Sequence, residues 1–512
     1  MPEATKGRVV MLVDNDVERD SRVQKQARSM AEAGWDVTLL GKAGPGGARR
    51  WRIGEAKVRL LPTPGHLVRR PGDLRRARLR SPLAYSAGWI ADNRRQAVAA
   101  RKAELRLRIV ASRHPREGDR ARPAEGLRLL PGRATAAALG KWVDLRARRT
   151  ANLVRVRQEA DRPLDQVTTR LWERTMGDRA WRRLDPHLWD FELAYGPEVD
   201  RLCPDIIHAN DFRMLGVGAR AAVRAREHGR DVKVVWDAHE FLPGIKPWES
   251  HPRWHISQIA HEREYAPAAD AVVTVSPELA ELLQETHGLR ELPTVVLNTP
   301  YAAQAAEHAH QPTIRQALGV GADVPIMVYS GSAAPQRGLD IMVEALPRLP
   351  DVVCAFVVSR PESDYVRSLV ARARELGVSE RLRLLPYVPF DQVVPFLSSA
   401  DAGVIPIHHW PNHEIALITK FFEYAHARLP IVVSDVKAMA HMTRQTGQGE
   451  VFETEDIDSF VAAVRAVVDK PEQYRKVYDD PALLGQWTWE AQAAILDGVY
   501  QQLLDNRTPG RT

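Results

Sequence analysis

Only two cysteines, Cys203 and Cys354, occur in 512 residues, and they fall in segments read below as different domains. That excludes a disulfide framework and a cysteine-rich metal site, and it fits a reducing cytoplasm. Nowhere do about 18 apolar residues run together, so no transmembrane helix is expected. The opening M-P-E-A-T-K-G-R-V-V-M-L-V-D-N-D reaches acids after a run too short for a signal peptide's core. A soluble, cytoplasmic protein is expected, with peripheral contact at the inner face of the membrane left open. Acids are outnumbered, 65 Asp and Glu against 72 Lys and Arg, for a net charge of +7. That balance suits an anionic partner, whether nucleotide, phospholipid surface or nucleic acid, without choosing among them.

What is present is a long globular chain, 44% hydrophobic and 27% charged, for which two or three domains are expected. Arg8 to Val13 reads as a buried strand, followed by Asp14-Asn15-Asp16 and an amphipathic helix that carries Val23, Ala27 and Met30 inward. Gly34 ends the helix and Trp35 to Leu40 forms the next strand, giving the strand-helix-strand signature of a right-handed parallel crossover. Lys57 to Leu61 predicts a third strand. Ligands collect at the C-terminal strand ends of open parallel sheets, which places Asp14, Asn15, Asp16 and Arg22 near a cleft, while Asp20 and Ser21 read as helix caps. Alternation resumes at Asp205 to His208 and continues through Val232 to Trp236, Ala271 to Val275 and Val295 to Leu297. A second series starts at Ile326 to Ser330 and includes Ala402 to Ile407 and Ile431 to Ser434. The fold class is therefore α/β, with two facing doubly wound parallel-sheet (Rossmann-like) domains and a cleft between their C-terminal strand edges. The expected boundaries are 1–300, 301–487, and a C-terminal helical segment, 488–512, packing back toward the first domain.

Between about 67 and 188 the character changes, with about thirty Lys and Arg against about a dozen acids in helical stretches, interrupted by the break R-H-P-R-E-G-D-R-A-R-P-A-E-G, read as a mobile loop. This is a basic helical insertion into the first domain. Three readings stand open: a solvated basic face, a phospholipid-facing patch, and a nucleic-acid surface. No recognised nucleic-acid motif accompanies it, so no nucleic-acid partner is expected.

The stretch Glu414 to Asp435, E-I-A-L-I-T-K-F-F-E-Y-A-H-A-R-L-P-I-V-V-S-D, has the grammar of a loop, a helix starting near Ile418 and Thr419, and a buried strand after Pro430. A helix N-terminus offers free N–H groups to an anion, Lys420 adds positive charge, and Glu423, on the same face, can accept hydrogen bonds from vicinal hydroxyls. That set suits a sugar nucleotide diphosphate. His208 and Asp211 stand at another strand end, where they can line the acceptor side or be ordinary core and cap residues. His408 and His409, followed by Trp410, have no carboxylate or third histidine at convincing spacing, so no metal site is expected and the pair is read as loop residues near the donor.

The motifs D-x-R-V-x-K-Q-A-R-S-M-A-E-A-G-W-D-V-T, I-I-H-A-N-D, V-W-D-A-H-E, V-V-T-V-S-P, V-V-L-N-T-P, Y-S-G-S-A-A-P-Q-R-G-L-D and K-F-F-E-Y-A-H-A-R-L-P-I-V-V-S-D, in this order and spacing, resemble glycosyltransferase family 4, with the GT-B fold. The resemblance covers the chain except the basic insertion. It implies a nucleoside-diphosphate sugar as co-substrate and no other cofactor. The donor is expected in the second domain and a glycan, lipid-linked or small-molecule acceptor in the first, with retention at the anomeric carbon and no bound metal. On this pattern Arg337 before Gly338 is one half of a basic pair on the diphosphate; the other half, after Gly331, is Ser332. Lys420 is the compensating charge. Glu423 matches the second of two glutamates and is expected on the ribose, whereas Ile415 stands eight positions earlier where the first belongs, with Glu414 beside it as the candidate replacement. His239 resembles the histidine that orients the donor sugar. A nucleotide-sugar epimerase or hydrolase, and a noncatalytic GT-B-like binding subunit, are the alternatives.

Overall fold

The computed structural model describes residues 5–44, 46–64, 81–113, 125–159, 163–245, 252–302 and 312–505. By compactness the chain divides into two units, one of Met1–Pro64, Phe191–Lys246 and His261–Thr512, and one of Gly65–Asp190 and Pro247–Ala260.

The first unit holds two sheets. In the first, β1 (Arg8–Leu12), β2 (Asp36–Lys42), β3 (Arg50–Ile53), β4 (Ala56–Leu61), β5 (Ile206–Asn210), β6 (Lys233–Ala238), β7 (Ala271–Thr274) and β8 (Thr294–Val295) lie in the order β3-β4-β2-β1-β5-β6-β7-β8. All pairings are parallel except β3 with β4. The central strands are apolar on both faces, as a sheet covered on both sides requires. The predicted strand Lys57 to Leu61 is β4. Its antiparallel neighbour β3 escaped the sequence reading because R-W-R-I alternates half-buried and exposed residues at an edge.

The second sheet consists of β9 (Ile326–Ser330), β10 (Val353–Val357), β11 (Leu382–Leu385), β12 (Ala402–Ile405), β13 (Ile431–Ser434) and β14 (Gly449–Phe452), in the order β11-β10-β9-β12-β13-β14 and parallel throughout. Its last strand, only half-buried, was not foreseen. The two expected doubly wound sheets are thus present. Part of the link between them, 303–311, lies outside the described residues.

Three helices of this unit position the site: α1 (Ser21–Glu32), α2 (Asp211–Glu227) and α3 (Thr419–His426). Asp20 caps α1, its carboxylate accepting from Val23 N, as its place before the apolar period predicts. A fourth, α4 (Trp489–Asp505), follows the last strand and joins the core of the first sheet, where Trp489, Leu496 and Tyr500 are fully buried with Val9, Met11 and Val23. The indole of Trp489 donates to Ser29 Oγ at 2.9 Å.

The second unit contains the helices Gly88–Arg113, Leu130–Glu159 and Pro163–Met176. Residues 114–124 of the Pro/Gly/Arg-rich break lie outside the described residues. Among the described residues, no helix is long and apolar enough to cross a membrane.

Replacing Trp489 with alanine removes a fully buried indole and is expected to lower unfolding free energy by about 3–5 kcal/mol, measured by urea denaturation. A loss below about 1 kcal/mol would show that α4 contributes little to the first sheet's core.

Candidate active site

Strand β9 runs out at Ser330, and the chain turns at Gly331, whose φ of 130° is open to glycine alone among the usual residues. Tyr329 Oη donates to Ser332 O at 2.7 Å, drawing the turn back over the strand end and leaving the Ser332 side chain at an exposed position. A short 3₁₀ turn, Pro335–Arg337, then delivers Arg337 and closes at Gly338. Gly338 has φ 65°, and a Cβ there would sit 1.9 Å from Pro406 O and 3.0 Å from the His408 ring. Only glycine lets this turn lie against the end of β12.

Helix α3 begins beside that turn. Ile418 is its N-cap and no side chain caps it, while Thr419 Oγ1 accepts from Asn298 Nδ2 at 2.9 Å. Lys420 Nζ stands 3.6 Å from the Tyr329 ring centroid, and a Cβ on Gly331 would lie 3.1 Å from it. Burial, then Arg337, pushes the Lys420 pKa well below the usual lysine range against the pull of Glu423. Glu423 is moved up by burial, with Lys420 and Lys25 opposing. Arg337, Lys420 and Glu423 are half-buried, and among the described residues none of their charged ends has a hydrogen bond or an ion pair. They belong to one electrostatic group: two cations near the loop and a carboxylate one turn along the helix.

Glu414 is differently placed. One carboxylate oxygen lies 2.5 Å from His409 Nδ1 and the other accepts from Lys437 N at 3.0 Å, at the start of the helix Lys437–Thr446. His409 also approaches Asp435, 3.1 Å from Nε2, and the Glu414 bond, ahead of burial, raises its pKa. The carboxylate partners that the spacing of the His408-His409 pair did not reveal are therefore Glu414 and Asp435. Among the described residues no group of three or more His, Cys, Asp or Glu is arranged to hold a metal ion.

The loop that carries these groups joins the two sheets' lobes. Trp410 Nε1 donates to Gly244 O at 2.7 Å, Phe241 N to Asn412 Oδ1 at 3.0 Å, and Ser276 Oγ to Ile415 O at 2.5 Å. The Ile415 side chain packs against the first lobe's buried cluster of Leu215, Trp236, Leu279 and Leu283. All of the hydrogen-bonded partners lie beyond the C-terminal ends of β6, β7 or β12, so the two strand edges face one another.

On the first lobe the centre is Asp237, fully buried at the end of β6. Arg22 of α1 grips it with two bonds of 3.0 and 2.8 Å and donates a third to Val296 O at 2.7 Å. Gln26, one helical turn on, donates to the same carboxylate at 2.5 Å. His208 Nε2 lies 3.5 Å and His239 Nε2 3.2 Å from it, and His239 Nδ1 is 3.3 Å from Asp211 Oδ1. Burial works against a charge on Asp237, but Arg22 and then His239 outweigh it and hold its pKa well below the usual range. Burial also opposes a charge on His239, yet Asp211 and Asp237 raise its pKa to about 9. His208 goes the other way: burial lowers it, and Tyr500 Oη of α4 lies 2.7 Å from its Nδ1. Asp211, in left-handed backbone at φ 60°, is pushed up to about 7 by burial, with His239 opposing.

The residues read from sequence as acceptor-side separate into two groups. His208, Asp211 and Arg22 belong to the Asp237 network, where the Arg22 guanidinium is fully engaged. Asp14 pairs with Arg213 at the end of β1, and Asn15 builds the following turn, accepting from Val17 N at 2.8 Å and donating to Asp20 at 2.8 Å. Asp16 is exposed. Sequence reasoning missed Asp237, Gln26, Tyr500 and Lys25. In V-W-D-A-H-E, Asp237 and His239 are two apart on a strand edge, and Arg22, Lys25 and Gln26 share one helical face; those spacings were the available signal. Lys25 donates to Asn298 Oδ1 at 2.8 Å and to Thr299 O at 2.5 Å, and burial, then Arg22, lowers its pKa to about 7 with Glu423 opposing.

Two Rossmann-like lobes with facing C-terminal strand edges define a GT-B protein. Residues 147–301 match the family model Glycosyltransferase Family 4, and residues 310–480 match Glycosyl transferases group 1. Among curated relatives, a D-inositol 3-phosphate glycosyltransferase of Geodermatophilus obscurus is 25% identical over 52% of this chain and 66% of its own length. A glycogen synthase of Mycobacterium tuberculosis is 26% identical over 58% of this chain and 68% of its own. The matched stretch thus spans about two thirds of those relatives (66% and 68%). Among solved structures, sucrose-phosphate synthase from Thermosynechococcus elongatus aligns with a TM-score of 0.61 at 14% identity, covering 98% of this chain and 100% of that one. Anabaena Alr3699/HepE in complex with UDP and glucose aligns at 0.58 and 12% identity, covering 97% and 100%. The chain belongs to the family 4 glycosyltransferases, enzymes of the GT-B fold.

Two measurements follow from the Asp237 network. Because the His239 pKa in the folded protein, about 9, lies above its ordinary 6.5, its charge contributes stability that is full below pH 6.5 and lost as pH rises through 9. The difference in unfolding free energy between the parent and His239→Gln should shrink across that window; a difference flat to pH 10 would contradict the charge assignment. Asp237→Asn leaves Arg22 buried against a neutral partner and should cost about 3–5 kcal/mol in the same assay.

Proposed function

We propose that the protein moves a sugar from a nucleoside-diphosphate sugar to a glycan, lipid-linked or small-molecule acceptor, with retention of anomeric configuration and without a metal. The observation that carries this reading is the group of Arg337, Lys420 and Glu423 at the C-terminal edge of the second sheet, half-buried and, among the described residues, without a hydrogen bond or an ion pair at their charged ends. A diphosphate beside Lys420 and Arg337 would restore charge balance to Lys420, whose charge burial and Arg337 disfavour, and it would also meet the uncapped start of α3. Glu423, one turn on, accepts from ribose hydroxyls. Solved neighbours in complex with UDP, UDP-glucose or UDP-2-fluoro glucose support a donor of this class.

Departure of the nucleoside diphosphate builds negative charge at its phosphate, and Lys420, Arg337 and the helix start stabilise it in a site from which closure excludes water. His239, protonated between Asp211 and Asp237, sets a positive charge on the first lobe's side of the transferring sugar, and those two carboxylates hold it in place. Glu414 acts here through His409 and the Lys437 amide, positioning the loop that bears the donor site. Asp14, Asn15 and Asp16 lie on the acceptor side. No cofactor beyond the sugar nucleotide is called for, and a cytoplasmic setting supplies that co-substrate.

A panel of nucleotide sugars, screened by calorimetry and then for turnover, tests the reading. Lys420→Ala and Glu423→Ala should each weaken binding of the cognate nucleoside diphosphate at least about tenfold, the loss of a charge-assisted contact, and abolish measurable transfer. Unchanged turnover in both variants would sink the site assignment.

A further inference from the structure

Helix α1 presents Arg22, Lys25 and Gln26 on one face, three and four residues apart. Arg22 and Gln26 hold Asp237. Lys25, only 3% exposed, turns instead to the segment just past β8, where the chain leaves the first sheet. Its Nζ donates to Asn298 Oδ1 at 2.8 Å and to Thr299 O at 2.5 Å, and stands 4.7 Å from the Trp489 ring centroid. The Asn298 carboxamide is thereby oriented: its oxygen takes the lysine, and its nitrogen donates to Thr419 Oγ1 at 2.9 Å. Thr419 is the first residue of α3, next to Lys420 and one turn before Glu423. The far end of α3 is held where the chain returns to the first sheet. His426 Nε2 lies 2.9 Å from Trp487 O, and the Trp487 ring packs edge-on against Phe421 and Phe422. Trp489 N donates to Pro300 O at 2.7 Å and Leu297 N to Gln492 Oε1 at 2.8 Å, tying the two crossings together.

We infer that Lys25 and Asn298 are positioning residues, through which α1 sets the first turn of α3, and with it Lys420 and Glu423, against the Asp237 network. Burial and then Arg22 disfavour the Lys25 cation, and among the described residues no carboxylate bonds it. A cation held by a neutral amide and a carbonyl is a poor source of stability, but its bonds are directional. One helix thus grips both halves of the cleft, Asp237 through Arg22 and Gln26, and the start of α3 through Lys25 and Asn298. The consequence for catalysis rests on the transfer reading above: a leaving diphosphate on α3 and His239 on Asp237 must meet in one geometry, and a misplacement of about 1 Å is enough to lower a rate about a hundredfold.

The test is Lys25→Met, Thr419→Val and the two combined, each in the parent and with Asn298→Ala added. Among the described residues Lys25 and Thr419 share no hydrogen bond, so coupling between them has to pass through Asn298. In urea unfolding of the ligand-free protein, the combined variant should shift the midpoint by clearly less than the sum of the single shifts, and the shifts should become additive once Asn298→Ala is present. In turnover, Lys25→Met and Asn298→Ala should each lower kcat at least about tenfold, with the Kd of the nucleoside diphosphate changed less than about threefold, since its proposed contacts Arg337, Lys420 and Glu423 all lie on the second lobe. Calorimetric stoichiometry counts the folded fraction, which separates lost alignment from lost protein. Additive midpoint shifts overturn the inference whether or not any sugar is transferred, and so does a kcat equal to the parent's or a loss confined to Kd. Non-additive shifts in a parent that transfers no sugar would strike the transfer reading and uphold the link from α1 to α3.

Discussion

One buried carboxylate organises the first lobe. Asp237 has no exposed surface, and a charge taken that far from water persists only when matched by partners. The partners come from widely separated parts of the chain: Arg22 and Gln26 from α1, His208 from β5, and His239 from the strand end beyond. Tyr500 of α4 closes the circle through His208. The two histidines on this carboxylate are driven to opposite protonation, His208 neutral through burial and His239 charged between Asp211 and Asp237. Arg22 bonds both oxygens of Asp237, and both histidines approach the same one, Oδ2, so the division between them follows from Asp211, which stands beside His239 alone.

The second lobe follows the opposite principle. There the cations are left without carboxylate bonds, and the nearest acid, Glu423, faces Lys420 and Lys25 at a distance that shifts their pKa values without pairing with them. A buried network that matches the charge of Asp237 at the end of β6, and a group near the end of β9 whose three charged ends have no hydrogen bond or ion pair among the described residues, set a rigid scaffold apart from a candidate site. The loop from Trp410 to Ile418 couples the halves. Its backbone and side chains are fastened to Phe241, Gly244 and Ser276, and it hands the chain directly to the N-cap of α3. The positions of Lys420 and Glu423 therefore depend on bonds made by the opposite lobe.

The parallel strands were legible because each is a short apolar run between turn residues. The start of α3 was legible because Pro430 and the Ile418-Thr419 boundary punctuate an amphipathic stretch. Edge strands β3 and β14 were not, since R-W-R-I and G-E-V-F are each four residues long, too short for their alternation to stand out. In the site, residues at strand ends announced themselves, His239 and Asp211 among them. Asp237 did not, because an acid within a buried strand has meaning only through Arg22, 215 positions away. Glu414 was visible as a residue, but its engagement by His409 and the Lys437 amide arises from the fold of the loop.

The helical insertion separates β4 from β5 in sequence without disturbing the sheet: β1 pairs with β2 on one side and with β5 on the other in unbroken register, Val9 opposite both Val37 and Ile206. The entropy of closing a longer loop grows only by about 0.6 kcal/mol per doubling, so a sheet can accept such an excursion if the inserted chain organises itself. A heptad seam between the helices Gly88–Arg113 and Leu130–Glu159 provides that organisation from small residues, Ala91, Ala136 and Ala147 among them, which bring the two helices together with little apolar area. A seam of that kind occupies a narrow stripe of each helix and leaves the opposite face free of any packing duty. Large apolar side chains such as Trp89 and Leu107 on that free face contribute nothing to the hairpin and expose area that water disfavours. Their presence is thus a constraint that the hairpin's own stability does not explain.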